Sequence, residues 1–368
     1  MQDIRLLIPE MPDHVTLKPW LERIDSNHYY TNFGPLVKQF EAQLTDLLTQ
    51  YSVDSKQLYV TTCHSGTAGL ELAIRALELP PGSHILVPAY TFVASALAII
   101  HAGHVPVFAD IDAINWQLTP DIAARYLQQY TIDAVMPVAA YGFPCEARNW
   151  QIFAECYELP VIIDAAGAIG NQWHIDKVVT VYSLHATKLF GVGEGGLVVA
   201  TNPHYIRKIE LLAGFGLEQQ RLTALGSNYK LSEYHAAVGL ATFDIWGQKT
   251  AQNNAIRNIY AQQLTEIESV SVLPNFEHLL SNLLPIRLNN AVNIENLMLF
   301  LQQHAIETRR VYYPTLDQQP ALMQYADPHI PPIVSHQLAQ QILCLPLHYQ
   351  LNAHDIERIV ELIKYYLA

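Results

Sequence analysis

Three short stretches hold residue types that could do chemistry together. The first is SLHATKLFGVGEGG, Ser183–Gly196, where Lys188 stands alone before a turn with four glycines in six residues. A lone lysine ordinarily points into water. One held in a dry pocket has a lowered pKa and forms Schiff bases. The glycines imply close backbone packing or unusual dihedrals. Glu194 inside the turn reads first as an acceptor for backbone N–H groups and second as a substrate contact. The second stretch is VIIDAAG, where Asp164 follows three apolar residues. A carboxylate there is costly unless something pairs with it. It either caps the next helix or holds a proton on a heterocyclic nitrogen. The third is HSGTAG, His64–Gly69, at an expected helix start. It is an ordinary capped start or a phosphate cradle of backbone N–H groups, aided by Ser65 or Thr67. No GK[ST] follows, so it is not a Walker motif.

Together the stretches offer a phosphate cradle, a buried acid and an amine. These are the groups that pyridoxal phosphate requires: a phosphate site, an acidic partner for its pyridine nitrogen and a Schiff-base lysine.

The elements that must position them alternate. LYVTTC, ILVPAY, VPVFADID, AVMPVAAYG, VIID, VVTVYSLHA and GGLVVATN read as short strands, most of them nearly continuously apolar. Helical patterns lie between several of them, in LVKQFEAQLTDLL, from Ala68 to Leu77, and in TFVASALAIIHAG from near Thr91. Such strands predict a sheet covered on both faces. VYSL and GLVVA are close enough to form one antiparallel pair. Ser26–Pro35 is aromatic and turn-prone. A long polar-faced helix is expected over ATFDIWGQKTAQNNAIRNIYAQQL, bridging two domains. Beyond it LLPIRLN, NIENLMLFLQQHAI, QILCLPLH and a final helix capped by Asn352 read as a smaller α+β unit. The expected division is residues 1–245 and 246–368, with ligands at strand ends of the larger unit.

The chain has 368 residues, half of them hydrophobic, and a formal charge of −13 with no basic block. This excludes the electrostatic footprint of a nucleic-acid binder. The four cysteines, Cys63, Cys145, Cys156 and Cys344, have no metal-ligand spacing and are expected as core residues of a reduced, cytoplasmic protein. The sixteen histidines form no metal motif. No apolar run is long enough to span a bilayer.

These stretches resemble the DegT/DnrJ/EryC1/StrS family of aminotransferases, which act on sugars, many of them nucleotide-linked. The matching runs are TNFGPLVKQFE, SGTAGLELAIRAL, ILVPAYTFVASALAIIHAGHVPVFADID, VIIDAAGAIG, SLHATKLFGVGEGG and GSNYKLSEYHAAVGL, with weaker matches in YYPTLDQQP and ILCLPLH. The resemblance implies the α/β architecture of fold type I, like aspartate aminotransferase. It pairs a large mixed-sheet domain, sandwiched by helices, with a smaller C-terminal α+β domain. It also implies a homodimer with shared active sites and pyridoxal 5′-phosphate as cofactor. Lys188 and Asp164 would be catalytic: Lys188 as the Schiff-base lysine, Asp164 against the pyridine nitrogen. Phe92 would stack on the ring. Gly66, Thr67 and Ser183 would meet the phosphate, and Asn228 would reach the phosphate in the neighbouring subunit. Tyr30, Thr31, Lys230 and Tyr313 are the candidates for the nucleotide sugar at the subunit boundary. His185 is expected behind the site. Three positions depart from the family pattern: Gly167 stands where glutamine or histidine is common, Ala139 where histidine is frequent, and Lys230 where many members have arginine.

The resemblance implies transfer of an amino group from glutamate to a nucleotide-linked keto sugar. A dTDP-4-keto-6-deoxyhexose of bacterial surface-polysaccharide (lipopolysaccharide, O-antigen) synthesis is the expected acceptor. The alternatives are C3 amination of a dTDP-3-keto-6-deoxyhexose and, in a different class, a non-catalytic regulatory protein that binds pyridoxal phosphate. A dehydratase branch of the family has histidine in place of this lysine, which Lys188 argues against.

Overall fold

Seven strands form the main sheet: β1 (Tyr59–Cys63), β2 (His84–Pro88), β3 (Val105–Ala109), β4 (Ala134–Val135), β5 (Val161–Asp164), β6 (Val178–Ser183) and β7 (Gly196–Ala200). The computed structural model describes residues 3–289 and 292–368. The strand order is β1-β7-β6-β5-β4-β2-β3. Only β7 runs against its neighbours, pairing antiparallel with both β1 and β6. The other six therefore point one way, and their C-terminal ends open on one edge.

Both faces of this sheet are dry, which explains the continuous apolar runs. Along β5, Val161 and Ile163 enter one core and Ile162 the opposite one. The first core is closed by α1 (His14–Asn27), α2 (Pro35–Thr49), α5 (Pro120–Tyr126), α6 (Ala147–Tyr157) and the first half of α8 (Glu233–Leu264). The second is closed by α3 (Gly66–Ala76), α4 (Val93–His101) and α7 (Pro203–Ala213). An exposed hairpin, β8 (Leu217–Glu218) and β9 (Arg221–Leu222), follows α7. A three-stranded antiparallel sheet of β10 (Val270–Val272), β11 (Leu284–Leu288) and β12 (Ile342–Leu345) builds a third core with α9 (Ile294–Gln303), α10 (Ile333–Gln341) and α11 (Ala353–Leu367). The 32-residue helix α8 is unbroken, so position 245/246 lies inside it. Ala236, Ala237 and Leu240 pack in the first core, and Ile256, Tyr260 and Leu264 in the third.

The structure corrects several expectations. Helix α1 was not anticipated; Asp13 caps it by accepting from the N–H groups of Val15 and Thr16. The strand expected over AVMPVAAYG shrinks to Ala134–Val135. Pro137 cannot donate to a ladder, and Tyr141 adopts φ 56° within a short turn over Ala140–Gly142. Of the four cysteines, Cys156 is exposed rather than part of the core. No helix is long and apolar enough to cross a membrane among the described residues.

Candidate active site

The common edge of the six strands gathers the three sequence stretches. HSGTAG follows β1, Phe92 follows β2, Asp164 ends β5, and Ser183 ends β6, five residues before Lys188. A cavity of about 630 Å³ opens there, lined by Gly66, Thr67, Phe92, Asp164, Ser183 and Lys188. Six of the seven expected cofactor residues thus share one space.

The phosphate end is set by α3. Ser65 caps it, its hydroxyl accepting from the Ala68 N–H at 3.1 Å. The N–H groups of Gly66 and Thr67 open the helix and have no carbonyl one turn back. A Cβ at Gly66 would lie 2.8 Å from the Ser183 Cβ, so only glycine brings the helix start this close to β6. Gly196 does the same from β7, where a Cβ would meet the Ser65 carbonyl oxygen at 2.4 Å.

Asp164 is 4% exposed and fully engaged. Its Oδ2 accepts from the Ser95 hydroxyl at 2.7 Å and its Oδ1 from the Ala166 N–H at 3.1 Å. Burial pushes its pKa up; those two bonds and the charge of Lys188 pull the other way. Ser95 is itself fully buried, and its hydroxyl lies 3.1 Å from that of Thr91. Burial pushes the Lys188 amine down, opposed by the charge of Asp164. Among the described residues this amine has neither a hydrogen-bond partner nor an ion pair. An unpaired, partly buried amine, a buried acid and an open helix start fit pyridoxal phosphate. Phe92, 59% exposed at the first turn of α4, fits a ring cover.

The expectations for Glu194 and His185 are not met, and the candidates for a subunit boundary lie outside this cavity. Glu194 does not serve the turn, whose own backbone closes it: Ala186 N–H donates to the Gly193 carbonyl and Leu184 N–H to that of Gly195. Glu194 instead faces the cavity, 3.6 Å from His185 Nε2. His185 also lines the cavity rather than lying behind it. Tyr313 lies outside, with the Arg310 guanidinium 3.2 Å from its ring centre, while its neighbour Tyr312 lines the cavity. Successive side chains of an extended segment face opposite ways. Tyr30 and Thr31 are exposed on the surface, Tyr30 stacked at 6.3 Å on Tyr234. Asn228, expected to serve a neighbouring subunit, is exposed outside this cavity, where its Oδ1 accepts from Lys230 Nζ at 2.6 Å. Gly167 and Ala139 line the cavity and leave open the space that a larger residue would fill.

Sequence reasoning missed Ser95, Thr91, Asn282 and Tyr312. Thr91 precedes α4 and Ser95 sits in its first turn, beyond the strand end that drew attention, so neither stood out in the sequence. Asn282 had no signal either. It comes from the loop before β11, and its side-chain amide donates to the Thr187 carbonyl, next to Lys188.

Comparison with known proteins places this geometry. The sequence profile of the DegT/DnrJ/EryC1/StrS aminotransferase family matches residues 16–364. A dTDP-4-amino-4,6-dideoxy-D-glucose transaminase of Shigella dysenteriae is 30% identical over 97% of this chain and 97% of its own. A UDP-N-acetyl-3-dehydro-alpha-D-glucosamine 3-aminotransferase of Acidithiobacillus ferrooxidans is 30% identical over 82% of each chain. Among solved structures, DesI in the presence of its TDP-sugar product superposes with a TM-score of 0.87 at 28% identity, covering 99% of this chain and 93% of the other.

Proposed function

The chain belongs to the DegT/DnrJ/EryC1/StrS aminotransferase family and is a transaminase, and on that premise we propose the acceptor, donor and residue roles. The acceptor is a dTDP-4-keto-6-deoxyhexose, aminated at C4 in the cytoplasm for surface-polysaccharide synthesis, and the donor is glutamate. The observation that best supports the chemistry is the unpaired amine of Lys188 facing the dry, hydrogen-bonded carboxylate of Asp164.

Pyridoxal phosphate, when bound, supplies a carbon that takes up amino groups and a ring that draws off electrons. Asp164 would hold the ring nitrogen through its carboxylate and keep a proton there. Gly66 and Thr67 hold the phosphate through backbone N–H groups, and the Thr67 and Ser183 hydroxyls add to them. Phe92 would cover the ring and exclude water. Lys188 Nζ, neutral more readily because burial lowers its pKa, takes the proton from the donor's α-carbon. In the second half of the cycle it delivers a proton to the sugar carbon, so one amine acts as base and then acid.

The site is completed by a second copy of the chain. Asn228 and Lys230 stand outside their own cavity, beside the exposed apolar residues Phe215, Leu217, Leu222 and Leu225. In a homodimer these would be covered, and Asn228 would meet the neighbouring phosphate. Tyr30 and Thr31 would then border the nucleotide.

Acceptor titration tests the substrate. The cofactor-loaded protein is treated with glutamate, freed of it, and offered dTDP-4-keto-6-deoxyglucose or a UDP-linked 3-keto sugar. Return of the visible cofactor band with the first alone supports the proposal. Return with the second alone moves the reaction to C3, the position that the Acidithiobacillus relative's name specifies.

A further inference from the structure

The cavity wall beside Lys188 carries a polar pair that the mechanism leaves unused. His185 and Glu194 both line the cavity, their side chains 44% and 61% exposed. The imidazole is held in one orientation. Thr187 N–H donates to its Nδ1 at 3.2 Å, and the Thr187 hydroxyl lies 2.7 Å from the same nitrogen. A nitrogen that accepts a backbone N–H carries no hydrogen, so the hydrogen of the neutral ring sits on Nε2. Thr187 is anchored from its other side by Asn282. The imidazole is therefore oriented before any ligand arrives.

His185 Nε2 and Glu194 Oε1 are 3.6 Å apart, beyond hydrogen-bond length. Among the described residues neither atom has a hydrogen-bond partner. One group is a donor and the other an anionic acceptor. A phosphate oxygen placed between them would meet the like charge of Glu194. An ammonium group would offer no lone pair to Nε2–H. A neutral hydroxyl suits both, donating its hydrogen to the carboxylate while its oxygen accepts from the imidazole.

We propose that His185 and Glu194 form a hydroxyl-binding pair that takes one ring hydroxyl of the acceptor sugar and sets which hexose is held against Lys188. The proposal rests on the nucleotide-sugar reading. It assigns the sugar, rather than the diphosphate or the donor, to this wall. A single hydroxyl bridging a fixed donor and a carboxylate also gives selectivity, because a sugar lacking that hydroxyl, or bearing it on the other face, leaves both groups unpaired.

Calorimetric titration with two unreactive probes, dTDP-glucose and dTDP, separates the sugar from the nucleotide. The protein is cofactor-loaded wild type, Glu194→Ala or His185→Asn. Glu194 is exposed, so its loss leaves the fold intact. Asparagine at 185 keeps an acceptor near the Nδ1 position for Thr187 but cannot reach as far as Nε2. The expected result is dTDP-glucose affinity lowered by about tenfold in each variant, the scale of one charge-assisted hydrogen bond, with dTDP affinity unchanged or raised. Equal weakening of both probes, or no change with dTDP-glucose, overturns the assignment and leaves the transaminase reading standing. Wild-type protein that binds neither dTDP-glucose nor dTDP removes the dTDP-sugar reading and this pair together.

Discussion

Asp164 and Lys188 sit where burial disfavours the charge of each, and the Ser95 hydroxyl offsets part of that cost for the acid. Removing that hydroxyl deprives Asp164 Oδ2 of its donor and moves the carboxyl pKa further up, in the direction burial already drives it. The mechanism needs the carboxylate ionised, so activity rises as pH rises through this pKa. Ser95→Ala should therefore shift the acid limb of the kcat/KM profile to higher pH and lower kcat at neutral pH by about tenfold, on the scale of a hydrogen bond to a charged group. An unchanged limb would detach Ser95 from the chemistry. Lys188→Ala should lose about 10²–10⁴-fold in kcat, the usual worth of a positioned acid–base group, while the cofactor still binds through α3 and Asp164. Lys188, Asp164, Gly66 and Thr67 could be singled out because each lies within a few residues of a strand end, whereas Phe92 and Ser183 came only through the family resemblance. Ser95 was hidden one helical turn further on. Tyr312 was displaced by one residue, an alternation that the sequence alone leaves open.

The elements explain why these residues meet. Helix α3 brings its N-terminus to β6 only because Gly66 lacks a side chain, and an added Cβ would stand 2.8 Å from Ser183 Cβ and 3.1 Å from its Cα. Gly66→Ala should weaken pyridoxal phosphate binding by about tenfold, or ~1.4 kcal/mol, measured by fluorescence titration of cofactor-free protein. Ser65→Ala removes a cap and should cost about 1 kcal/mol in chemical denaturation, a loss of stability distinct from the loss of phosphate contact. The sheet was legible because apolar runs covered on both faces leave a strong pattern. Helix α1 was not: it contains Pro19 and fully buries only Ile24, so its periodicity is faint. The two-residue β4 was overread because AVMPVAA is as apolar as its neighbours, while Pro137 and the turn at Tyr141 decide where the ladder stops.

At the scale of the whole molecule, the proposed homodimer would complete each site with Asn228 from the second chain. The exposed hairpin side chains Leu217 and Leu222, with Leu225 at 82% exposure, are what a subunit boundary would cover. Mixing inactive Lys188→Ala with an Asn228→Ala variant should recover activity. In a mixed dimer one site would combine an intact Lys188 with an intact Asn228, giving roughly a quarter of the wild-type sites under random exchange. No recovery above the sum of the separate variants would place Asn228 in its own chain's site or in none. The central claim is that the unpaired amine of Lys188, facing Asp164, performs amino transfer with pyridoxal phosphate. Its most direct test is the absorbance of cofactor-loaded protein before and after glutamate, beside Lys188→Ala. Loss of the visible band with growth of a near-ultraviolet band in the wild type alone is the predicted result. A wild type that takes up the cofactor but is unmoved by glutamate would contradict the assigned donor half-reaction, and one that takes up no cofactor would contradict the account as a whole.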